Sequence, residues 1–419
     1  MGVFAVADGL AFSDPLALAP LRSVLLRHGA RHGGASGTAP RMRPLTLGRW
    51  PTYSPACRRA VDRLLARGGS LTAYRSAPDS PLGPREGSWA WRLERTAERM
   101  FSVRHVVACS SGTMALQAAL RALDLPAGSE VITSPYTFSA TAAAIIHAGL
   151  RPVFADVNPD TFCLDGNSVR LVAGRSSVGV GAILPVDLFG RIHNLHDGTP
   201  VGVIEDACQA VGANIGRFLW GGVLGDCGVW SFNGLKNVPA GEAGAAVTDN
   251  DNLARRVRLF ISHGENVGDS AVGLNGRLNE LTACVAYFGL LNVHKMNAWR
   301  RRLALELSRR LKDEPRVRVL TPKEIEGHAL YVYPLIVNEG VDRVAFVRRL
   351  HTMGVEAREG YSTPLHRLPA FKDAQRIPLP VVEELEDRRL VLLFQVRPPA
   401  RRAHMVWLAA AIKTALGKS

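Results

Sequence analysis

The residues of this chain best suited to chemistry are a lysine and an aspartate thirty positions apart. Lys236 is the first lysine of the sequence and one of only seven among 51 basic residues, set in Ser231-Phe-Asn-Gly-Leu-Lys236. Asp206 closes the apolar run Val201-Gly-Val-Ile-Glu-Asp206, and Gln209 follows three residues later. A lysine amine condenses with an aldehyde to form a Schiff base, which an arginine, charged at any physiological pH, cannot do. A carboxylate beside a pyridine nitrogen keeps that nitrogen protonated, so the ring can accept electrons from a neighbouring carbanion. The pair therefore points to pyridoxal phosphate, with the Gln209 amide placed to address the phenolic oxygen.

A phosphate needs donors. Ser110-Ser111-Gly112-Thr113 lies between a predicted strand and a predicted helix, where free backbone N–H groups and the positive helix end favour an anion. Serine and threonine are also ordinary helix caps, so it is the order of this run ahead of Asp206 and Lys236 that favours the phosphate reading. Ser231, five residues before Lys236, offers a further hydroxyl, or one satisfied by nearby backbone.

These residues must be carried by a regular frame. Helical periodicity predicts a helix over 88–101 and one over 113–123, with a short strand at 103–108 between them. Apolar runs at 130–133, 152–156, 182–186, 201–204, 227–232 and 244–248 read as buried strands. Near-continuous apolar strands separated by helices indicate an α/β fold, a mostly parallel sheet sandwiched by helices. Asp206 then emerges at the carboxyl end of its strand, where ligands of open α/β sheets bind. One long helix is predicted from 278 through 302. Beyond it, strands at 317–320 and 330–337 and helices at 341–353 and 405–416 suit a smaller α+β domain. The domain reading is an extension over 1–44, a large domain over 45–290 and a small C-terminal domain over 291–419. The extension reads as flexible, and Met42 is a candidate translation start.

Composition narrows the rest. With 419 residues, 47% of them hydrophobic, the chain can bury a large core. The net charge of +14 is spread along the sequence, with no basic block interleaved with aromatics, so a nucleic-acid partner is not expected, while anionic substrates suit the surface. Six cysteines without CxxC spacing indicate free thiols, no metal and a reducing, cytoplasmic setting. No apolar stretch reaches membrane-spanning length.

Taken in order, several runs resemble the DegT/DnrJ/EryC1/StrS aminotransferases, fold-type I pyridoxal phosphate enzymes, over roughly residues 50 to 375. They are Ser110-Ser-Gly-Thr-Met-Ala-Leu116, Ser134-Pro-Tyr-Thr-Phe138-Ser-Ala-Thr141, Glu205-Asp206-Ala-Cys-Gln209, Lys236 with Gly241-Glu242-Ala-Gly244, and Gly273-Leu-Asn275-Gly-Arg277. The resemblance implies Lys236 as Schiff-base lysine and proton shuttle, and Asp206 as partner of the pyridine nitrogen. Gln209 would face the phenolic oxygen, and Gly112, Thr113 and Ser231 the phosphate. Phe138 would stack on the ring. Asn275 would reach the phosphate of a neighbouring subunit's cofactor, implying a homodimer with shared sites, and Arg277 would meet a donor carboxylate or a structural partner.

The implied activity is transfer of an amino group from glutamate or glutamine to a keto-sugar, nucleotide-linked keto-sugar or keto-cyclitol, in an antibiotic-type secondary pathway. A lyase, aldolase or desulfurase on the same fold, and a non-catalytic regulatory homologue, stay open. The dehydratase branch replaces the lysine by histidine, and Lys236 speaks against it. Asp187 stands where many members have histidine, and Ala243 replaces a common glycine; the first bears on substrate recognition. The run 74–87, rich in proline and glycine, reads as a loop that does not align with the family pattern.

Overall fold

In the computed structural model, residues 50–74, 82–193, 201–266, 269–361 and 363–417 are described. The extension 1–44, Met42 and part of the 74–87 loop lie outside them.

Seven strands form the main sheet: β1 (His105–Cys109), β2 (Glu130–Thr133), β3 (Arg151–Phe154), β4 (Val180–Leu184), β5 (Gly202–Asp206), β6 (Cys227–Ser231) and β7 (Gly244–Thr248). Their order is β1-β7-β6-β5-β4-β2-β3. Only β7 runs against its neighbours β1 and β6, and the other pairings are parallel. The carboxyl ends of β1, β2, β5 and β6 therefore meet along one edge.

Alternation along the strands shows how the sheet is covered. Val107 and Cys109 of β1 join one buried cluster and Val106 and Ala108 the other, as expected for a strand buried on both faces. On the first face pack α3 (Gly112–Ala122), α4 (Ala140–His147), α5 (Gly166–Ala173) and α6 (Asp251–Ile261). Before them in the chain come α1 (Pro55–Ala66) and α2 (Trp89–Phe101); α2 covers the second face together with α7 (Glu280–Leu290). Alanines 115, 118, 119 and 122 let α3 sit close to the strands. On the second face Trp230 is fully buried against Phe101, with ring centroids 4.7 Å apart, and its indole N–H donates to Gly221 O at 2.8 Å. Burying a side chain of this size stabilises by about 1.5–3 kcal/mol.

The expected single helix from 278 to 302 is two helices, α7 and α8 (Val293–Leu311). Asn292 breaks it: its side-chain amide donates to Phe288 O at 2.9 Å, serving a carbonyl near the end of the first helix. A second, antiparallel sheet follows, built from β8 (Val317–Arg318), β9 (Tyr333–Val337), β10 (Ala357–Glu359) and β11 (Leu390–Leu393) in the order β8-β9-β11-β10. Helices α9 (Arg343–Thr352) and α10 (Arg402–Leu416) accompany it. The strand expected over 330–337 starts three residues late. Ala329 N–H and Tyr331 N–H instead donate to Gly190 O and Phe189 O at 2.9 Å, and Leu330 takes φ +49°, which draws this segment toward the main sheet. Among the described residues no helix is long and apolar enough to cross a membrane, and all six cysteines are free thiols.

Candidate active site

Asp206 is the last residue of β5 and is 5% exposed. Its carboxylate accepts from Thr141 Oγ1 at 2.8 Å and from Cys208 N at 3.2 Å, and no cation pairs with it among the described residues. A buried carboxylate without a cation is expensive, so the position suits a protonated ligand nitrogen.

Lys236 is held by its neighbours. The connection from β6 to β7 is closed by Phe232 N to Ala243 O and Gly234 N to Gly241 O, both 2.8 Å. Lys236 N donates to Asn233 O at 2.9 Å. On its other side the Asn237 amide donates to Asn297 Oδ1 at 2.7 Å and Ala329 O at 2.8 Å. The half-buried amine lies 4.4 Å from the centre of the Tyr331 ring. Cys208 ties the two charges together: burial and the Asp206 carboxylate push its thiol well up, while the Lys236 ammonium pulls it down.

At the start of α3, Ser111 caps the helix by accepting from Met114 N at 3.0 Å, and the first N–H groups of a helix have no intrahelical acceptor. Gly112 is pressed into this corner. A Cβ there would stand 2.9 Å from Cys208 Sγ and 3.0 Å from Ser231 Cβ. Gly112, Ser231, Cys208 and, through the Cys208 backbone, Asp206 are thus contiguous, and Thr113 follows on the first turn. Phe138, at the entry to α4, leaves 62% of its surface exposed.

Gln209 is buried between elements far apart in sequence. Its carbonyl accepts from Phe189 N at 2.9 Å, and one of its two amide N–H groups donates to Tyr361 OH at 3.0 Å. The Tyr361 ring is stacked on Phe189 at 6.3 Å and edge-on to Tyr136 at 5.5 Å, and burial holds its hydroxyl far above the usual phenol value. Asn275 is exposed and accepts from Arg277 Nε at 3.2 Å. No hydrogen bond joins it to Lys236, Asp206 or Ser231 among the described residues. Gly276 O nevertheless accepts from Ser110 N at 2.8 Å, so the run lies against the start of α3.

Asp187, the departure from the family pattern, lies away from solvent. It is fully buried, accepts from His193 N at 3.1 Å, and lies 2.7 Å from His193 Nδ1. Glu205, also fully buried, accepts from Leu224 N at 2.9 Å, and the Asp187, His193 and Glu205 side-chain ligand atoms lie within 4.8 Å of one another. Burial raises the Asp187 carboxyl to about 7 and Glu205 well above its ordinary value, and lowers His193 to about 4. The two carboxyls face each other with one oxygen apiece left over, which a shared proton satisfies. Because Asp187 N donates to Asp206 O at 3.0 Å, this cluster supports the strand end that carries Asp206.

A sequence model of the DegT/DnrJ/EryC1/StrS aminotransferase family matches residues 80–398. The chain belongs to this family. The UDP-N-acetyl-3-dehydro-alpha-D-glucosamine 3-aminotransferase of Acidithiobacillus ferrooxidans is 31% identical over 342 residues, covering 79% of this chain and 89% of that one. A protein named pleiotropic regulatory protein from Geobacillus stearothermophilus is 31% identical over 297 residues, covering 68% and 78%. The crystal structure of DesI, determined in the presence of its TDP-sugar product, superposes with a TM-score of 0.78 at 27% identity, covering 91% and 95%.

The protein is thus a pyridoxal-phosphate-dependent aminotransferase of fold type I. Its own residues fit the cofactor: an amine on a fastened loop, a buried carboxylate lacking a cation among the described residues, and a corner at Gly112 where a Cβ would push against Cys208 and Ser231. Sequence reasoning did not find Thr141, Tyr331, Tyr361 or the His193–Glu205 support. Thr141 sat inside a quoted run, but 65 residues separate it from Asp206, and 152 separate Tyr361 from Gln209. No local spacing announces such contacts.

Proposed function

We propose that this aminotransferase moves an amino group from glutamate or glutamine to the ketone of a sugar, a nucleotide-linked sugar or a cyclitol. Bound pyridoxal phosphate supplies the electron sink that lets a Cα–H bond of the donor break. Lys236 is the covalent anchor and, once released as an amine, the base that takes the donor's Cα proton and returns it to the cofactor carbon that carried the aldehyde. Asp206, oriented by Thr141, holds the pyridine nitrogen protonated. Gly112, Thr113 and Ser231 bind the phosphate through N–H and hydroxyl donors. Gln209, with a second amide N–H, would serve the phenolic oxygen, and Phe138 would cover the ring.

The observation that carries this reading is the buried, cation-free Asp206 at the edge where the Lys236 loop and the Gly112 corner converge. A relative named as a 3-aminotransferase of a UDP-linked dehydro-sugar and a neighbour solved with its TDP-sugar product favour the acceptor class. Exposed Asn275 on a surface run beside Ser110 suits a site shared across a homodimer, completed by the neighbouring subunit's Asn275. The large domain bearing the main sheet, the smaller domain bearing the second sheet, a cytoplasmic setting and a secondary-metabolite pathway belong to the same reading.

Incubating the loaded enzyme with 15N-labelled glutamate or glutamine and a panel of nucleotide-linked keto-sugars tests it by mass spectrometry. A labelled amino-sugar is the expected product. Release of carbon dioxide or of cleaved donor, with no labelled amine on any acceptor, favours the lyase reading instead.

A further inference from the structure

Tyr331 lies in neither sheet and is fastened from both sides. Its N–H donates to Phe189 O at 2.9 Å, and its carbonyl accepts from Arg300 Nη1 at 3.2 Å. Arg300 itself is fully buried on α8, has no acidic partner among the described residues, and also binds Leu330 O at 2.9 Å. A buried arginine spent on two consecutive carbonyls acts as a peg that fixes the Tyr331 ring. That ring presents its face to Lys236 Nζ at 4.4 Å, and no carboxylate pairs with the amine among the described residues.

We propose that Tyr331 is a positioning residue that seats the Lys236 amine while it is not bonded to the cofactor; this rests on the aminotransferase reading. The amine condenses with the aldehyde carbon, losing water, and is released again when the donor's nitrogen takes its place. Once released it must stay within reach and, after taking the donor's Cα proton, hold that proton as an ammonium until it is returned. A carboxylate would hold an ammonium through strong, directed hydrogen bonds, whereas a ring face attracts it without any. Only the lysine that is not bonded to the cofactor and carries a proton profits from the seat, so the seat favours release.

The sign of this effect separates it from a structural role. Without the ring, the free amine loses about fivefold in equilibrium, roughly 1 kcal/mol, and the bonded form gains relative to it. The test uses the cofactor-free full chain as wild type, Tyr331→Leu and Tyr331→Phe, titrated with pyridoxal phosphate while the Lys236-dependent absorbance band is followed. Tyr331→Leu is expected to bind about fivefold more tightly, and its conversion by glutamate to lie about fivefold further back at equilibrium. Tyr331→Phe, which keeps the ring face, should match the wild type in both. Weaker or unchanged cofactor binding in Tyr331→Leu overturns the proposal, as does a phenylalanine variant that behaves like leucine. If glutamate or glutamine converts none of the three proteins, the aminotransferase reading fails, while the titration still decides the seat.

Discussion

Replacing His193 by glutamine should change how stability depends on pH. His193 is buried beside Asp187 and Glu205, and burial lowers its pKa from 6.5 to about 4. Below about pH 6.5 the unfolded chain takes up a proton that the folded protein refuses. The contribution of the neutral imidazole is therefore present above pH 6.5 and is lost as the pH falls toward 4. Putting the two pKa values into the linkage relation gives a loss of about 2 kcal/mol between pH 7 and pH 5. Asp187, raised to about 7, and Glu205, raised well above its ordinary value, run the other way. What they contribute is present below ordinary carboxyl values and lost as the pH rises through their folded values. Both remain in the variant, so subtracting its curve from the wild type's isolates the imidazole. Urea unfolding followed by tryptophan fluorescence at several pH values supplies the curves. The wild type minus His193→Gln difference should grow by about 2 kcal/mol from pH 5 to pH 7; parallel curves over that range refute the assignment of a neutral buried His193.

Three further outcomes follow from the same geometry. Thr141→Val removes the hydroxyl donor 2.8 Å from Asp206, and hydrogen bonds to charged groups contribute about 1.5–3 kcal/mol. Single-turnover conversion by the donor should slow by roughly ten- to hundredfold, with the Lys236-dependent band retained, and an unchanged rate would remove Thr141 from the account. Gly112→Ala forces a Cβ to within 2.9 Å of Cys208 Sγ, so equilibrium dialysis should show cofactor affinity falling by about tenfold or more; undiminished affinity would mean that this corner does not hold the phosphate. Arg258→Met strips Glu94, 1% exposed, of the guanidinium paired with it at 2.9 Å and leaves only Arg95 at 3.8 Å. Urea unfolding should report a loss of about 3–5 kcal/mol, and a loss under 1 kcal/mol would show that Glu94 is satisfied without Arg258.

The parts of this architecture legible in the sequence were those written in local pattern. Strands β1 to β7 announced themselves as apolar runs because both faces of the sheet are buried, and α2 by its amphipathic period. Asp206, Gly112 and Ser231 could be placed because each sits at a strand end or helix start, where the type of residue reports the position. Contacts made by long-range folding were illegible: Tyr331 faces Lys236 across 95 residues of sequence, and a tyrosine inside an expected strand carries no mark of it. The Asn292 break escaped notice because an asparagine inside a helical period reads as a tolerated polar residue until its amide is seen on Phe288 O. Asp187 was noticed as a departure, but its burial against His193 and Glu205 depends on a turn that periodicity does not encode.

The central claim is that Lys236 anchors the cofactor and carries out the first half of the transfer. The absorbance spectrum of the purified protein with pyridoxal phosphate, before and after glutamate or glutamine, measured beside Lys236→Ala, tests it most directly. A band that depends on Lys236 and shifts to that of the amino form only in the wild type is the predicted result. A wild-type spectrum that no amino acid changes, or a band that survives in Lys236→Ala, contradicts it.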